Sequence, residues 1–293
     1  MVKEKAQTTF AMIAPVAWIA FAAGLQILGA FIYFKTPFDL IILITGMILT
    51  FCIYFINRFT DDEDNFNCPE QKIFFQKKSS LIIIPIILLV ITYVVLGLTN
   101  RLGFWHFVLL FAGILYSINI IPVLNKKSIR FIRLKDITFL KNIIVSILWG
   151  LTPFAFAISL KHVLPHQSDV LVIIGAFCLT VLINSTSTDV RDIVGDRIAG
   201  ITTFANYFGK KITLWTLLSL GAISCAFVAI LFQLEKIGIP SFLFFLMSVT
   251  WSLFAVIPIY SSKFHFSKAI SEPINDSLAV FNGIGLILIG LIR

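Results

Sequence analysis

Apolar runs of roughly 20 residues, the length that carries an α-helix across a bilayer, recur along the whole chain. Nine qualify, at about 10–34, 39–56, 81–98, 104–123, 142–160, 169–188, 212–233, 239–261 and 276–292. The runs are continuous blocks rather than alternations, so they specify helices and not a β-barrel. Only 13% of the residues are charged, about half the share of an ordinary soluble domain. The expected fold class is therefore all-α: a polytopic membrane helical bundle with about nine transmembrane helices. No polar domain or low-complexity linker interrupts the series, which makes residues 1–293 a single membrane domain. The chain opens with lysines, as a secretory signal does. Its first apolar run exceeds a signal's roughly 7–15 residues, and it reads as a retained first helix.

Lysine and arginine placement orients such a bundle. With the N-terminus in the cytoplasm, 18 of the 23 basic residues fall in cytoplasmic segments, against Lys35, Arg101, Lys161, Lys236 and Arg293 outside. That split goes with an odd number of spans. The net charge of +8 is then a property of one face, suited to anionic lipid heads and not to nucleic acid. Outward loops are short, whereas the cytoplasmic connections after spans 2, 4 and 6 run to roughly 18–24 residues. Long loops in a compact protein carry function or disorder. These mix charge with Phe, Ile and Leu, so ordered helical pieces capping the bundle are expected at about 57–80, 124–141 and 186–211. The active site is expected there, on the cytoplasmic side.

Two of these connections hold more than half of the 15 acidic residues. "NRFTDDEDNFNCPEQK" carries five between Asp61 and Glu70, and "NSTSTDVRDIVGDRIAG" carries Asp189, Asp192 and Asp196. On a helix, Asn57, Asp61, Asp64 and Asn65 fall within an arc of about 100°, and Asp189, Asp192 and Asp196 within about 60°. Two facing sets of carboxylates repel unless cations sit between them. Oxygen ligands without histidine or thiolate favour Mg²⁺, which keeps waters and bridges to phosphates. Both clusters thus point to a metal-bound diphosphate, with the metal offsetting charge on the leaving group. A weak echo links them: Asn57-x3-Asp61-x2-Asp64 parallels Asn184-x4-Asp189-x2-Asp192, as an internal repeat would. Cys52, Cys68, Cys178 and Cys225 show neither CxxC pairing nor zinc spacing, so no disulfide or thiolate site is expected.

"DVRDIVGDRIAGITTFANYFGKK" resembles the second aspartate motif of the UbiA superfamily of intramembrane prenyltransferases, including its trailing G-D-R-x-x-G-x-x-T. "NRFTDDEDN" resembles the first motif, usually N-D-x-x-D-x-x-x-D. The resemblance covers essentially the whole chain. It implies a helical bundle around a central cavity that opens sideways to lipid. It also implies Mg²⁺-dependent transfer of an isoprenyl chain from a prenyl diphosphate to a lipophilic or aromatic acceptor. By matching position, Asn57, Asp61 and Asn65 serve one metal site, while Asp192 and Asp196 serve the other with Asp189 beside them. Asp61, Asp192 and Asp196 are the expected catalytic residues. Arg58 departs from the motif's usual Asp, and Asn65 stands where its last Asp is usual, with Asp64 as the substitute. Tyr116 matches the family's tyrosine near the end of the fourth span, whose lysine partner four residues later is here Ile120. Asn57, Asn184, Tyr116, Lys127, Arg130 and Lys141 are the expected substrate-binding residues, the last three drawn from the basic stretch "NKKSIRFIRLKDITFLKN".

Two rival readings stay open at this stage. A terpene cyclase of the same superfamily ionises the same diphosphate and closes the cation on its own double bonds. An ion channel or transporter lines a path with carboxylates, but here the carboxylates cluster at span ends on one side. His106, His162, His166 and His265 lie away from the acidic clusters, and none is expected to be catalytic.

Overall fold

Inside a bilayer no water pairs with an exposed backbone N–H or C=O, so an apolar run folds as a helix that satisfies those groups itself. The computed structural model describes residues 2–60, 69–125, 128–137, 139–158, 167–257 and 268–292, and it is helical over most of them. The helices are α1 (Val2–Phe34), α2 (Leu40–Thr60), α3 (Pro69–Lys77) and α4 (Ile83–Leu98), the last entered through a 3₁₀ turn at Ser79–Ile82. Then come α5 (Phe104–Ser117), α6 (Leu140–Ile158), α7 (Gln167–Ile198), α8 (Phe204–Phe208), α9 (Lys210–Gln233), α10 (Ile239–Trp251) and α11 (Lys268–Ile292). Each of the nine expected runs falls on one of these helices. Among the described residues, seven helices are long and apolar enough to cross a membrane, and two shorter apolar ones, Phe104–Ser117 and Ile239–Phe254, accompany them.

Packing between apolar helices in lipid depends on close approach of backbones at small residues. The α1–α11 contact is of this kind. A Cβ on Gly283 would stand 2.8 Å from Leu25 Cβ and 3.0 Å from the Gln26 backbone nitrogen, and one on Gly290 would stand 2.7 Å from the Tyr33 nitrogen. Gln26 crosses the same interface, donating its side-chain amide to the Ala279 carbonyl at 2.9 Å. The centre of the bundle is aromatic. Phe177 of α7 meets Phe154 of α6 edge-on at 5.7 Å and stacks on Phe244 of α10 at 5.5 Å. All three are buried.

Local signals set the helix ends. Asp39 caps α2, its Oδ1 accepting from the backbone of Ile41 at 3.0 Å and Ile42 at 3.2 Å, as N-cap acids do. Gly200, with φ +75°, closes α7. The Ile201 nitrogen returns to the Asp196 carbonyl at 2.9 Å and the Gly200 nitrogen to the Arg197 carbonyl at 3.1 Å. This double bond is the Schellman stop, which glycine accommodates without strain. Thr203 and Asn206 then form a reciprocal cap that starts α8. The trailing G-D-R-x-x-G-x-x-T of the sequence is in large part a device for ending one helix and starting the next.

Three boundaries differ from expectation. The helix of the sixth run continues to Ile198 rather than stopping near 188, so Asp189, Asp192 and Asp196 stand on the last turns of α7, not in a loop. The helix of the fourth run stops at Ser117 rather than 123. There Ile118 turns extended, with φ −118° and ψ 141°, ahead of Pro122, which cannot continue a helix and biases Ile121 toward extended backbone. The third difference follows. The connection at about 124–141 was expected to be helical, but Ile121–Asn125 (β1) and Ser128–Ile132 (β2) pair as an antiparallel hairpin, followed by a 3₁₀ turn at Leu134–Asp136. Helical caps do appear in the other two connections, as α3 and α8.

Candidate active site

A cavity of about 220 Å³ runs between α1, α2, α5, α6 and α7. One end is polar: Asn57 in the last turn of α2, Tyr116 of α5, Lys141 and Asn142 of α6, with Asp189 and Asp192 of α7. Away from that end the walls turn apolar, through Leu49, Val145 and Leu148 to Ala23, Leu109 and Phe156. Five side chains expected from the sequence thus meet in one place: Asn57, Tyr116, Lys141, Asp189 and Asp192. They come from four helices.

Asp189 is the most firmly held of the acids. It is 2% exposed, and its two oxygens accept from Asn142 Nδ2 at 2.6 Å and Lys141 Nζ at 3.1 Å. A buried carboxylate without such partners would be strongly destabilising, so the first residues of α6 fix this acid and balance its charge. The amide orientation of Asn142 follows, because a carboxylate only accepts. Asn142 Oδ1 is thereby left as a buried acceptor with no hydrogen-bond partner among the described residues. Asp192 lies one turn on and takes a two-pronged contact from Arg191, both bonds 2.7 Å. Asp196, 1% exposed, sits a further turn toward the helix end and is not among the cavity-lining residues.

The remaining expected residues are placed less simply. Asn184 is not among the cavity-lining residues; its Nδ2 donates to the Asn275 carbonyl of α11 at 3.2 Å. Ser185 and Thr188 line the cavity on that part of α7. Arg130 lies on β2, and its side chain, like Lys127, Asp61, Asp64 and Asn65, falls outside the described residues. So do His162, His166 and His265. His106 is buried in the first turn of α5, where its Nδ1 accepts from the Gly103 nitrogen at 3.1 Å. That role is structural.

Sequence reasoning missed three buried cations, two of them at the C-terminal end of α2, where the first acidic stretch begins. Lys72 of α3 donates to the Phe59 carbonyl at 3.1 Å, and Arg133 donates to the Thr60 carbonyl at 2.8 Å. Cations at this end complement the helix dipole and take up its last carbonyls. Asp136 braces Arg133, with guanidinium contacts of 2.8 to 3.1 Å. Lys135 is only 2% exposed, and its ammonium lies 5.9 Å from the ring centroid of Tyr116. It brings positive charge to the tyrosine that has Ile120 where a lysine was sought. The R-x-x-D spacing of Arg133 and Asp136 was the only available sequence signal.

The donors at the polar end are oxygens, with neither histidine nor cysteine among the lining residues. Among the described residues no group of three or more His, Cys, Asp or Glu side chains is placed to hold a metal ion. Asp189 and Asp192 are the acids at the polar end of the cavity; Asp61, Asp64 and Asn65, the other set expected from the sequence, lie outside the described residues.

The sequence pattern of the UbiA prenyltransferase family matches residues 80–267. No curated protein matches the chain by sequence. Among solved structures, a UbiA homologue from Archaeoglobus fulgidus bound to GPP and Mg²⁺ is similar at TM-score 0.64 and 18% identity, covering 96% of this chain and 99% of that one. The apo UbiA homologue of Aeropyrum pernix K1 is similar at TM-score 0.62 and 16% identity, covering 92% and 97%. A structure of digeranylgeranylglyceryl phosphate synthase is similar at 0.56 and 18%, covering 99% and 98%. At these identities the likeness speaks for the fold.

Proposed function

The chain belongs to the UbiA prenyltransferase family, and from that premise we propose that it is an integral membrane enzyme transferring an isoprenyl chain from an allylic prenyl diphosphate to a lipophilic or aromatic acceptor. Diphosphate is the leaving group and Mg²⁺ the cofactor. One observation carries this reading: a single cavity joins an acid, amide and lysine end to an apolar body. A prenyl diphosphate has the same two halves. The A. fulgidus homologue, solved with GPP and Mg²⁺, supports it.

The donor set fits Mg²⁺, a hard cation that takes oxygen ligands and shares them with phosphates. Asn57, Asp61, Asp64 and Asn65 would hold it from the α2 side, and Asp189, Asp192 and Asp196 from the α7 side. Asn142 Oδ1, a buried acceptor with no partner among the described residues, would be free to accept from the hydration shell of such a cation. Bound there, Mg²⁺ offsets the charge that develops on the leaving diphosphate.

The chain's own residues do the rest. Lys141 and Tyr116 stand at the polar end to meet the diphosphate, and Lys135 adds charge behind the tyrosine. When the C–O bond breaks, its electron pair leaves with the diphosphate and an allylic cation remains. Tyr54, Trp149 and Phe156 line the cavity, and a ring face turned to such a cation attracts it by about 0.5–2 kcal/mol. Apolar walls keep out water, which would otherwise capture the cation. The acceptor's electron pair then forms the new bond to carbon.

The whole chain acts as one domain, with the N-terminus and the active site on the cytoplasmic side, as the placement of basic residues implies. Cysteines introduced beside Lys3 and Arg293 should then react from opposite faces of sealed vesicles. Labelling from the same face would refute the topology. For the reaction, reconstituted protein is given labelled prenyl diphosphates of graded length with a membrane lipid extract. Label joined to an extract component supports the transferase. A cyclic hydrocarbon formed without acceptor would make the protein a cyclase, and Mg²⁺-independent turnover would overturn the metal site.

A further inference from the structure

The hairpin of β1 and β2 has one face with no partner of its own in the pairing. Its register sets Pro122 opposite Phe131 and Leu124 opposite Ile129, so these four residues share a face. That face is wholly apolar, and it is bare: Leu124 is 88% exposed, Ile129 62% and Phe131 54%. A two-stranded sheet cannot cover such a face by itself.

We infer that this face lies in the bilayer, at the boundary between headgroups and acyl chains, and anchors the hairpin there. Length is the first argument. The 14 residues of α5 rise about 21 Å, short of the roughly 30 Å hydrocarbon core. The next three residues, Ile118, Asn119 and Ile120, cover about 10 Å more if extended. The hairpin therefore begins where the hydrocarbon ends. Continuity is the second argument. Phe104, Phe107 and Phe111 are exposed and fall on one side of α5, within about 60°, and Ile118, the extended residue after the helix, is exposed as well, so the lipid-facing strip of α5 runs on toward Leu124. A two-stranded hairpin pairs only its inner backbone groups within the sheet, and outer edges are not tolerated by hydrocarbon but are by interfacial water. Depth is thus bounded from both sides. The sequence between the strands reads Lys126-Lys127, two cations suited to anionic headgroups.

The anchor has a local consequence. The hairpin leaves α5 just after Tyr116 and leads directly into Arg133 and Lys135. Holding it at the interface sets the height at which Arg133 meets the end of α2 and Lys135 meets Tyr116.

Nitroxide labels test this independently of catalysis. With the four native cysteines replaced, single cysteines at Leu124 and Ile129 are labelled in vesicles of phosphatidylcholine and phosphatidylglycerol. Phe111 serves as the lipid reference and Lys77, exposed at the end of α3, as the water reference. Collisions with oxygen, which partitions into lipid, should exceed those with a water-soluble nickel chelate at both hairpin positions, as at Phe111. The inference is overturned if nickel collisions dominate there, as at Lys77. It is equally overturned if both reagents are excluded, which would mean that protein covers the face.

Discussion

Asn142 Nδ2 donates to Asp189 Oδ2 at 2.6 Å, and neither side chain is more than 7% exposed. The bond ties the start of α6 to the acidic turns of α7. Its geometry makes Asn142 a positioning residue for an acid that the sequence identifies and the fold alone can aim.

Replacing Asn142 by Leu removes one charge-assisted hydrogen bond, a change of about 1.5–3 kcal/mol. The expected outcome is a lower thermal midpoint in detergent and a higher Mg²⁺ requirement for diphosphate release. Asn142→Asp should be worse, because it sets a second carboxylate against Asp189. A Leu variant with wild-type metal dependence would show that the bond has no bearing on the site.

The first acidic stretch makes a separate prediction from sequence alone. Asp64 and Asn65 flank Asp61 on opposite sides, at about 60° and about 40° on an ideal helix, so either neighbour could reach a metal held by Asp61. Asp61→Ala should be inactive at any Mg²⁺ concentration, and Asp64→Ala should be partly rescued by excess metal. If Asn65→Ala is dead and Asp64→Ala behaves as wild type, the family's usual register holds instead.

The parts of this molecule that the sequence made legible were those set by local rules. Run length located the apolar helices, whereas the stop at Gly200 and the start at Thr203 lay unread inside a motif, and the sixth run was expected to end near 188. The hairpin was not legible, because a short apolar run such as Ile118–Leu124 serves strand and helix equally. Asn184 shows a finer limit. The cavity stripe on α7 is Ser185, Thr188, Asp189 and Asp192, and Asn184, about 100° from Ser185, turns to α11 instead. Lys72, Arg133 and Lys135 were hidden among ordinary cytoplasmic charge. Their importance lies in burial, Lys72 and Arg133 against the end of α2 and Lys135 beside Tyr116, which only tertiary structure supplies.

On the opposite end of the bundle, Asp39 pairs with Arg101, joining the α1–α2 and α4–α5 loops. Burial pushes the Asp39 carboxyl up, but the Arg101 hydrogen bond and charge, with the Ile41 and Ile42 N–H groups, outweigh it and hold it below the ordinary 3.8. A depressed carboxylate stabilises the fold fully above that ordinary value, and the contribution is lost as pH falls from 3.8 through the folded value. Asp39→Asn keeps a capping side chain but loses the ion pair. Its stability should drop slightly at neutral pH, by about 1 kcal/mol for a half-buried pair at the rim of the bundle, and the gap to wild type should close in acid. A gap independent of pH would remove the pair from the account.

The central claim is that the α7 acids hold a metal-bound diphosphate whose departure starts the reaction. The most direct measurement is Mg²⁺-dependent diphosphate release from GPP in reconstituted vesicles, with a membrane lipid extract supplying acceptor. Wild type is compared with Asp192→Ala and Asp196→Ala at matched levels of folded protein. The account predicts release by wild type with Mg²⁺, none with chelator, and none by either variant. Undiminished release by Asp192→Ala or Asp196→Ala would contradict it.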